Sequence, residues 1–336
     1  MTIIAAILIF CLLIISHEFG HFIMAKICGV YVYDFSLGMG PKLLSWKGKE
    51  TQYTLRLFPI GGWVKMMGED EDSDDPRSFI RKKISQRMAI IAAGPIMNFL
   101  TAILLFVIIF MMIGTYSTEN IAEPIDGKPA QQAGMQNGDR IIEINGYQIN
   151  EWSDITTVIS DTAVDGSVVD TVVERDGKQV EIAIQPTYDQ ESGYWQIGVM
   201  PPVVRQNFFV AVKDGVVQTY VFTKLILVSL VQMVTGQIDA DLAGPIGVVS
   251  IIGQATSYGI QSLLLLTAML CVNLGIINLL PLPALDGCRI VFLAIEGIRG
   301  KPINREREGL VHFIGLILLF GLMIVITYND IIRLLA

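Results

Sequence analysis

Three ionisable side chains, His17, Glu18 and His21, stand in the middle of an apolar opening, MTIIAAILIFCLLIISHEFGHFIMAKICGV. In HEFGH the histidines are four apart, so on a helix both project from one face, where two imidazole nitrogens can ligate one Zn²⁺. Glu18 then lies beside the metal, where a carboxylate can take the proton of a water whose acidity the metal has raised towards neutral pH. Left unpartnered in hydrocarbon, these groups would cost several kcal/mol, and a cation is the simplest compensation. A catalytic zinc site adds a third protein ligand and an open position. His312 is the remaining histidine and reads more readily as structural. The stronger candidate is Asp286 in NLGIINLLPLPALDGCRI, residues 273–290, where a carboxylate ends an apolar stretch beside Pro281, Pro283 and Gly287. Asp286 could instead cap the helix expected from Arg289 to Ile298.

The elements that must position these groups belong to a membrane protein. The chain has 336 residues, 52% of them hydrophobic, and a mean hydropathy of +0.54. Apolar stretches at about 3–25, 88–113, 262–285 and 310–328 each approach the length a helix needs to cross a bilayer. The first is too long for a removable signal peptide, lacks a preceding basic residue, and would discard the ionisable cluster on cleavage. Basic residues gather between the first two stretches, with Arg81, Lys82, Lys83 and Arg87 beside the second, and again between the last two, so both loops are expected in the cytoplasm. The acidic central segment then lies outside, as do both termini. The net charge of −8 argues against nucleic acid as a partner. Cys11, Cys28, Cys271 and Cys288 fall in or beside apolar stretches without a CxxC, and read as small buried hydrophobes.

Between the stretches the texture changes. Residues 31–66 alternate over Gln52 to Leu57 and are broken by glycine and proline, which predicts hairpins. Leu43, Leu44, Trp46, Leu57, Phe58 and Trp63 suit a hairpin dipping into the membrane, where protein or a watery cavity must satisfy its backbone. The acidic run EDEDSDD, residues 69–75, lacks the spacing of a calcium loop and reads as solvated. Residues 119–187 hold short strands and turns. In PAQQAGMQNGDRIIEINGYQI, residues 129–149, Asn137-Gly138-Asp139 turns into a strand from Arg140 to Ile144 and Asn145-Gly146 turns out of it. That arrangement resembles the core of a PDZ domain, a fold that adds extended peptide ends to a sheet edge. Residues 206–235, interrupted by Lys213, Asp214 and Lys224, suggest an amphipathic helix on the membrane surface rather than a fifth span. Ala93-Gly94-Pro95-Ile96 is echoed by Ala243-Gly244-Pro245-Ile246, and either could be a helix start with proline in its first turn. Gly94 and Asn98 give a small-residue face where another helix could approach and share a polar contact.

HEFGH in the first stretch, the PDZ-like segment after the second, and NLLPLPALDG in the third together resemble the site-2 protease (M50) family of intramembrane metalloproteases, most closely its bacterial regulator of sigma-E protease branch. The resemblance covers nearly the whole chain. It implies a polytopic α-helical membrane protein of the bacterial cytoplasmic membrane, with a membrane-associated β-hairpin region and one inserted PDZ domain of β-rich α+β type. The core would be formed by residues 1–113 and 243–336. The resemblance also implies His17, His21 and Asp286 as zinc ligands, Glu18 as general base, and Asn273, Asn278, Pro281 and Pro283 as substrate-positioning residues. Two departures are visible: Cys288 replaces a second glycine common after LDG, and there is room for one PDZ domain where some members have two.

The implied activity is regulated intramembrane proteolysis of single-pass substrates such as anti-sigma factors or signal-peptide remnants. A transmembrane helix hydrogen-bonds its own carbonyls, so it must unwind locally before water can attack, and the hairpin could offer a strand edge to the unwound segment. Two other classes fit the motifs: a non-catalytic zinc-containing membrane PDZ scaffold, and a metal transporter using the buried histidines in transit.

Overall fold

The computed structural model describes residues 2–69, 71, 73–163, 166–190, 193–238 and 243–335; Asp70 and Asp72 of the acidic run lie outside these. In chain order the elements are α1 (Thr2–Ile27), β1 (Val32–Lys47), β2 (Gln52–Met66), α2 (Ile84–Ile108), β3 (Thr115–Tyr116), β4 (Ile121–Pro124), α3 (Pro129–Gln132), β5 (Asp139–Ile144), β6 (Tyr147–Gln148) and α4 (Trp152–Thr162). They continue with β7 (Val169–Arg175), β8 (Lys178–Ile184), β9 (Thr187–Asp189), β10 (Tyr194–Gln196), β11 (Val199–Met200), β12 (Val203–Val204), α5 (Phe208–Val234), α6 (Pro245–Ser257), α7 (Ile260–Leu279), α8 (Asp286–Arg299) and α9 (Arg305–Leu335). These form two compact units: Met1–Ile109 with Phe208–Ala336, and Phe110–Asn207.

In the first unit, α1 and α2 pack closely because small residues face each other. A Cβ added at Gly20 would meet the Ala93 carbonyl oxygen at 2.1 Å. The face read from Gly94 and Asn98 is the one α1 uses, and the shared polar contact is a 2.7 Å hydrogen bond between Ser16 Oγ and Asn98 Oδ1. Among the described residues five helices are long and apolar enough to cross a membrane: α1, α2 continued to Ile113, α5, α7, and α9 from Glu306 to Arg333. The additional one is α5, which packs against α2 with Phe222 stacked on Phe106 at 5.7 Å between ring centroids.

The two AGPI stretches differ in structure. Gly244 precedes the first turn of α6 and Pro245 opens it, while Asp330 reaches across from α9 to accept the Gly244 and Gly247 N–H groups at 3.2 and 2.8 Å. A carboxylate there satisfies amides that a helix start leaves free. Pro95 instead lies inside α2, so a helix start does not explain the first copy. Close packing does, as the metal centre makes clear.

Strands β1 and β2 each fold back into two segments of one sheet: Asp34–Leu37 pairs with Gly62–Lys65 on one side and with Gln52–Leu55 on the other, and Leu44–Lys47 pairs with the far side of Gln52–Leu55. Its base is fixed by Val32, Val64 and Met66, which are buried with Ala25 of α1, Val30 and Ile90 of α2. Away from that base, Met39, Leu43, Leu44, Trp46, Leu57 and Phe58 are exposed. All four cysteines are free, Cys271 and Cys288 buried and the other two half-buried.

The second unit holds an antiparallel sheet ordered β11-β4-β5-β7-β8, with β6 on β5. It runs beyond the segment 119–187, since β11 pairs with β4. Two tight turns shape it. Asn145-Gly146 and Asp176-Gly177 have positive φ at both positions (48° and 84°, 49° and 73°), the backbone of type I′ hairpins. The core packs Ile155 and Ile159 of α4 against Ile141, Ile144, Val169, Val173, Ile182 and Ile184 of the sheet. Asp139 is buried and paired with Arg175 Nη2 at 2.7 Å. Burial raises the Asp139 pKa, but the guanidinium and the Gln136 N–H outweigh it and hold the carboxyl below its ordinary range. Strand β3 pairs with β12 at the ends of the unit.

Candidate metal centre and active site

Helix α1 turns His17 and His21 to one side, and the first residue of α8 meets them there. Asp286 Oδ2 lies 3.1 Å from His17 Nε2 and 3.3 Å from His21 Nε2, and the two Nε2 atoms are 3.2 Å apart. A tetrahedral ion with bonds of roughly 2.0 Å separates its ligand atoms by roughly 3.3 Å. The spacing of these three atoms therefore fits Zn²⁺. Asp286 Oδ2 is buried and has no hydrogen-bond partner among the described residues, a costly arrangement for a carboxylate that a cation would relieve. His17, His21 and Asp286 form the one group of potential ligands of this kind among the described residues.

The second helix sets the imidazoles from behind. His21 Nδ1 is 2.9 Å from the Ile90 carbonyl oxygen, which can only accept, so Nδ1 carries the proton and Nε2 keeps its lone pair for a metal. Asn98 faces Nδ1 of His17. Gly94 lets α2 come this near: a Cβ there would stand 2.3 Å from His21 Nε2 and 2.9 Å from His17 Cε1. The first AGPI stretch thus serves the approach of two helices at the site.

Asp286 is presented by a loop. Helix α7 stops at Leu279, because Pro281 and Pro283 cannot continue it, and Leu285 is the N-cap of α8. Asp286 is the first residue inside α8, so its carboxylate faces the imidazoles instead of capping the helix. Its neighbour Ala284 has φ of +73°, a conformation that costs a residue with a Cβ about 1–3 kcal/mol. His312 of α9 braces that residue, its Nδ1 accepting the Ala284 N–H at 3.0 Å. Pro283 also packs so closely on Gly315 that a Cβ there would fall 2.1 Å from it. His312 is therefore structural support for the ligand loop and no ligand itself, a role visible only once α9 and the loop are in contact.

A cavity of about 200 Å³ opens at the centre, lined among others by Glu18, Gly62, Trp63, Glu69 and Arg289. Glu18 packs against β2, where a Cβ on Gly62 would lie 2.9 Å from Glu18 Cγ. Glu69 and Arg289 form an ion pair on the cavity wall, and Arg87 pairs with Glu296 further along α8. Neither of these pairs was evident in the sequence, where the four residues read only as loop and helix charges. Asn273 and Asn278 stand half-buried on α7, and Pro281 and Pro283 follow it; none of the four lines this cavity.

The profile of peptidase family M50 matches residues 5–322. The chain belongs to peptidase family M50. Similar proteins extend over this M50 peptidase end to end. A putative zinc metalloprotease of Clostridium acetobutylicum is 39% identical over 338 residues, covering 98% of this chain and 97% of its own. The zinc metalloprotease RasP of Geobacillus kaustophilus is 34% identical over 414 residues, covering 98% and 97%. The regulator of sigma-W protease RasP of Bacillus subtilis is 34% identical over 418 residues, covering 99% of each. Among solved structures, the PDZ domain of the SdrC-like protein of Listeria monocytogenes matches 25% of this chain and 87% of its own, at 25% identity and a TM-score of 0.22. The M50 peptidase is thus a multi-pass membrane protein that carries a separate β-rich unit between its second and third apolar helices.

Proposed function

We propose that this membrane zinc metalloprotease cleaves locally unwound transmembrane segments, with His17, His21 and Asp286 as zinc ligands and Glu18 as general base. The observation that carries this reading is the convergence of Asp286 Oδ2 with both imidazole Nε2 atoms beside the Glu18 carboxylate. Bound zinc supplies Lewis acidity, which polarises the scissile carbonyl and makes water a stronger acid. Glu18 takes the proton of the attacking water and delivers it to the leaving amine. Among the described residues β2 pairs with β1 alone, and its Gly62–Val64 segment borders the cavity. That leaves a backbone edge to hold an extended substrate in register. Asn278, with Asn273, Pro281 and Pro283, is assigned to substrate positioning at the mouth of the α7–α8 loop.

In this reading the termini and the PDZ domain face outward across the bacterial cytoplasmic membrane, and the β1–β2 hairpin and α8 face inward. Gly215, early in α5, packs on Ile103 and Phe106, towards the end of α2 remote from Arg87. After α5, Gly244 rests against Asp330, towards the end of α9 remote from His312, and Gly253 meets Thr2. Both flanks of α5 thus stay at the outer ends of these helices, which supports α5 as a surface helix that does not cross.

The substrates are single-pass membrane proteins, with peptide ends admitted by the PDZ domain. The Bacillus subtilis relative is named for regulating sigma-W, which supports an anti-sigma factor ahead of a signal-peptide remnant. A zinc-containing scaffold and a metal transporter are not favoured, because the peptidase profile spans both halves of the membrane unit. Glu18→Gln is the test. Cleavage of a membrane peptide should be abolished while zinc content stays at one per chain, and a variant that cleaves normally removes Glu18 from the mechanism. Membrane peptides that accumulate with this variant identify the substrate.

A further inference from the structure

The hydrogen bonds behind His17 cannot all form in one arrangement that also serves a metal. Asn98 is fully buried, with its carboxamide nitrogen 3.3 Å from His17 Nδ1 and its oxygen 2.7 Å from Ser16 Oγ. Ser16 Oγ also lies 2.9 Å from the Leu13 carbonyl oxygen. In that orientation the single hydroxyl proton of Ser16 faces two oxygens. The amide N–H would moreover donate to His17 Nδ1, and the imidazole proton would then sit on Nε2, pointing at Asp286 and His21 where the metal belongs.

A half-turn of the carboxamide, which exchanges two ends of nearly identical shape, removes both conflicts. His17 Nδ1–H donates to Asn98 Oδ1, Asn98 Nδ2–H donates to Ser16 Oγ, and the Ser16 hydroxyl donates to the Leu13 carbonyl. The His17 Nδ1–H, one Asn98 N–H and the Ser16 hydroxyl then each meet one acceptor, and Nε2 of His17 presents a lone pair to the site. We propose that Asn98, relayed by Ser16, is a positioning residue that holds His17 in its metal-binding tautomer, as the Ile90 carbonyl does for His21.

This inference rests on His17 being a zinc ligand, and the experiment separates the two. Zinc affinity is measured by chelator competition on the purified, detergent-solubilised full chain. Losing an outer partner of this kind lowers metal affinity by about 10- to 100-fold, so Asn98→Leu should show a loss in that range. Asn98→Asp, which keeps an acceptor for Nδ1–H, should restore affinity to within a few-fold of the parent. In ¹⁵N-histidine spectra of the metal-free protein, His17 should be protonated at Nδ1 in the parent and lose that signature in Asn98→Leu. If Asn98→Leu does not fold, Ser16→Ala is read by the same spectra and should mix the His17 tautomers. Unchanged zinc affinity in Asn98→Leu, beside its loss in His17→Ala, overturns the role of Asn98 and leaves the ligand set intact. Unchanged zinc affinity in His17→Ala overturns the ligand reading itself.

Discussion

His312 Nδ1 accepts the backbone N–H of Ala284 at 3.0 Å, two residues before Asp286 and on the strained turn that delivers its carboxylate. Replacing His312 with Phe leaves that N–H without an acceptor, at a cost of about 1–3 kcal/mol. Thermal unfolding of His312→Phe should occur at lower temperature, and kcat/KM on a membrane peptide should fall as the loop relaxes. Ala284→Gly, which adopts positive φ without strain, should keep activity and unfold no earlier than the parent.

Removing the proposed third ligand tests the centre directly. Asp286→Ala leaves two imidazoles, one fewer than the three protein ligands of a catalytic zinc site. Metal analysis of the purified variant should find zinc strongly depleted, and undiminished content would exclude Asp286.

The contact at Gly94 makes a geometric prediction. Its Cβ would stand 2.3 Å from His21 Nε2, so Gly94→Ala must displace the imidazole or the helix. A displacement of that order costs about a hundred-fold in rate, to be read as kcat/KM on the membrane peptide. Gly309 of α9, whose Cβ would meet nothing within 4 Å, should accept alanine without loss.

The β-rich unit has its own acid response. Asp139 titrates lower in the folded chain than in the unfolded one, whose carboxyl has a pKa of about 3.9. The native state therefore binds fewer protons. The stabilisation is complete above the unfolded value and fades as pH falls through the folded one. Arg175→Met leaves the buried carboxylate uncompensated and should cost about 3 kcal/mol at neutral pH. Hydrogen exchange of β5 and β7 against pH should show this loss and a flatter acid limb.

The grouping of His17, His21 and Asp286 was legible because metal ligation demands particular residue types and spacing: HEFGH is a local pattern on one helix, and Asp286 stood out as a carboxylate beside two prolines. The hairpin and the PDZ turns were legible for a similar reason, since glycine at positive φ marks a turn wherever it occurs. What escaped was long-range. Asp330 capping α6 and His312 bracing Ala284 join residues far apart in the chain, and nothing local announces either bond. The start of helix α6 was legible in Gly244-Pro245, while the Asp330 carboxylate that caps it was not. Pro95 misled because proline at a helix start and proline inside a closely packed helix look alike in sequence.

Thr115–Tyr116 and Val203–Val204 pair as a two-stranded stem, so the chain enters and leaves the β-rich unit at neighbouring points. To the helices on either side, everything beyond that stem is equivalent to one short turn. An insert held this way is a cartridge. Evolution, or an engineer, can lengthen, double or exchange it without disturbing the contacts that bring two histidines and an aspartate together.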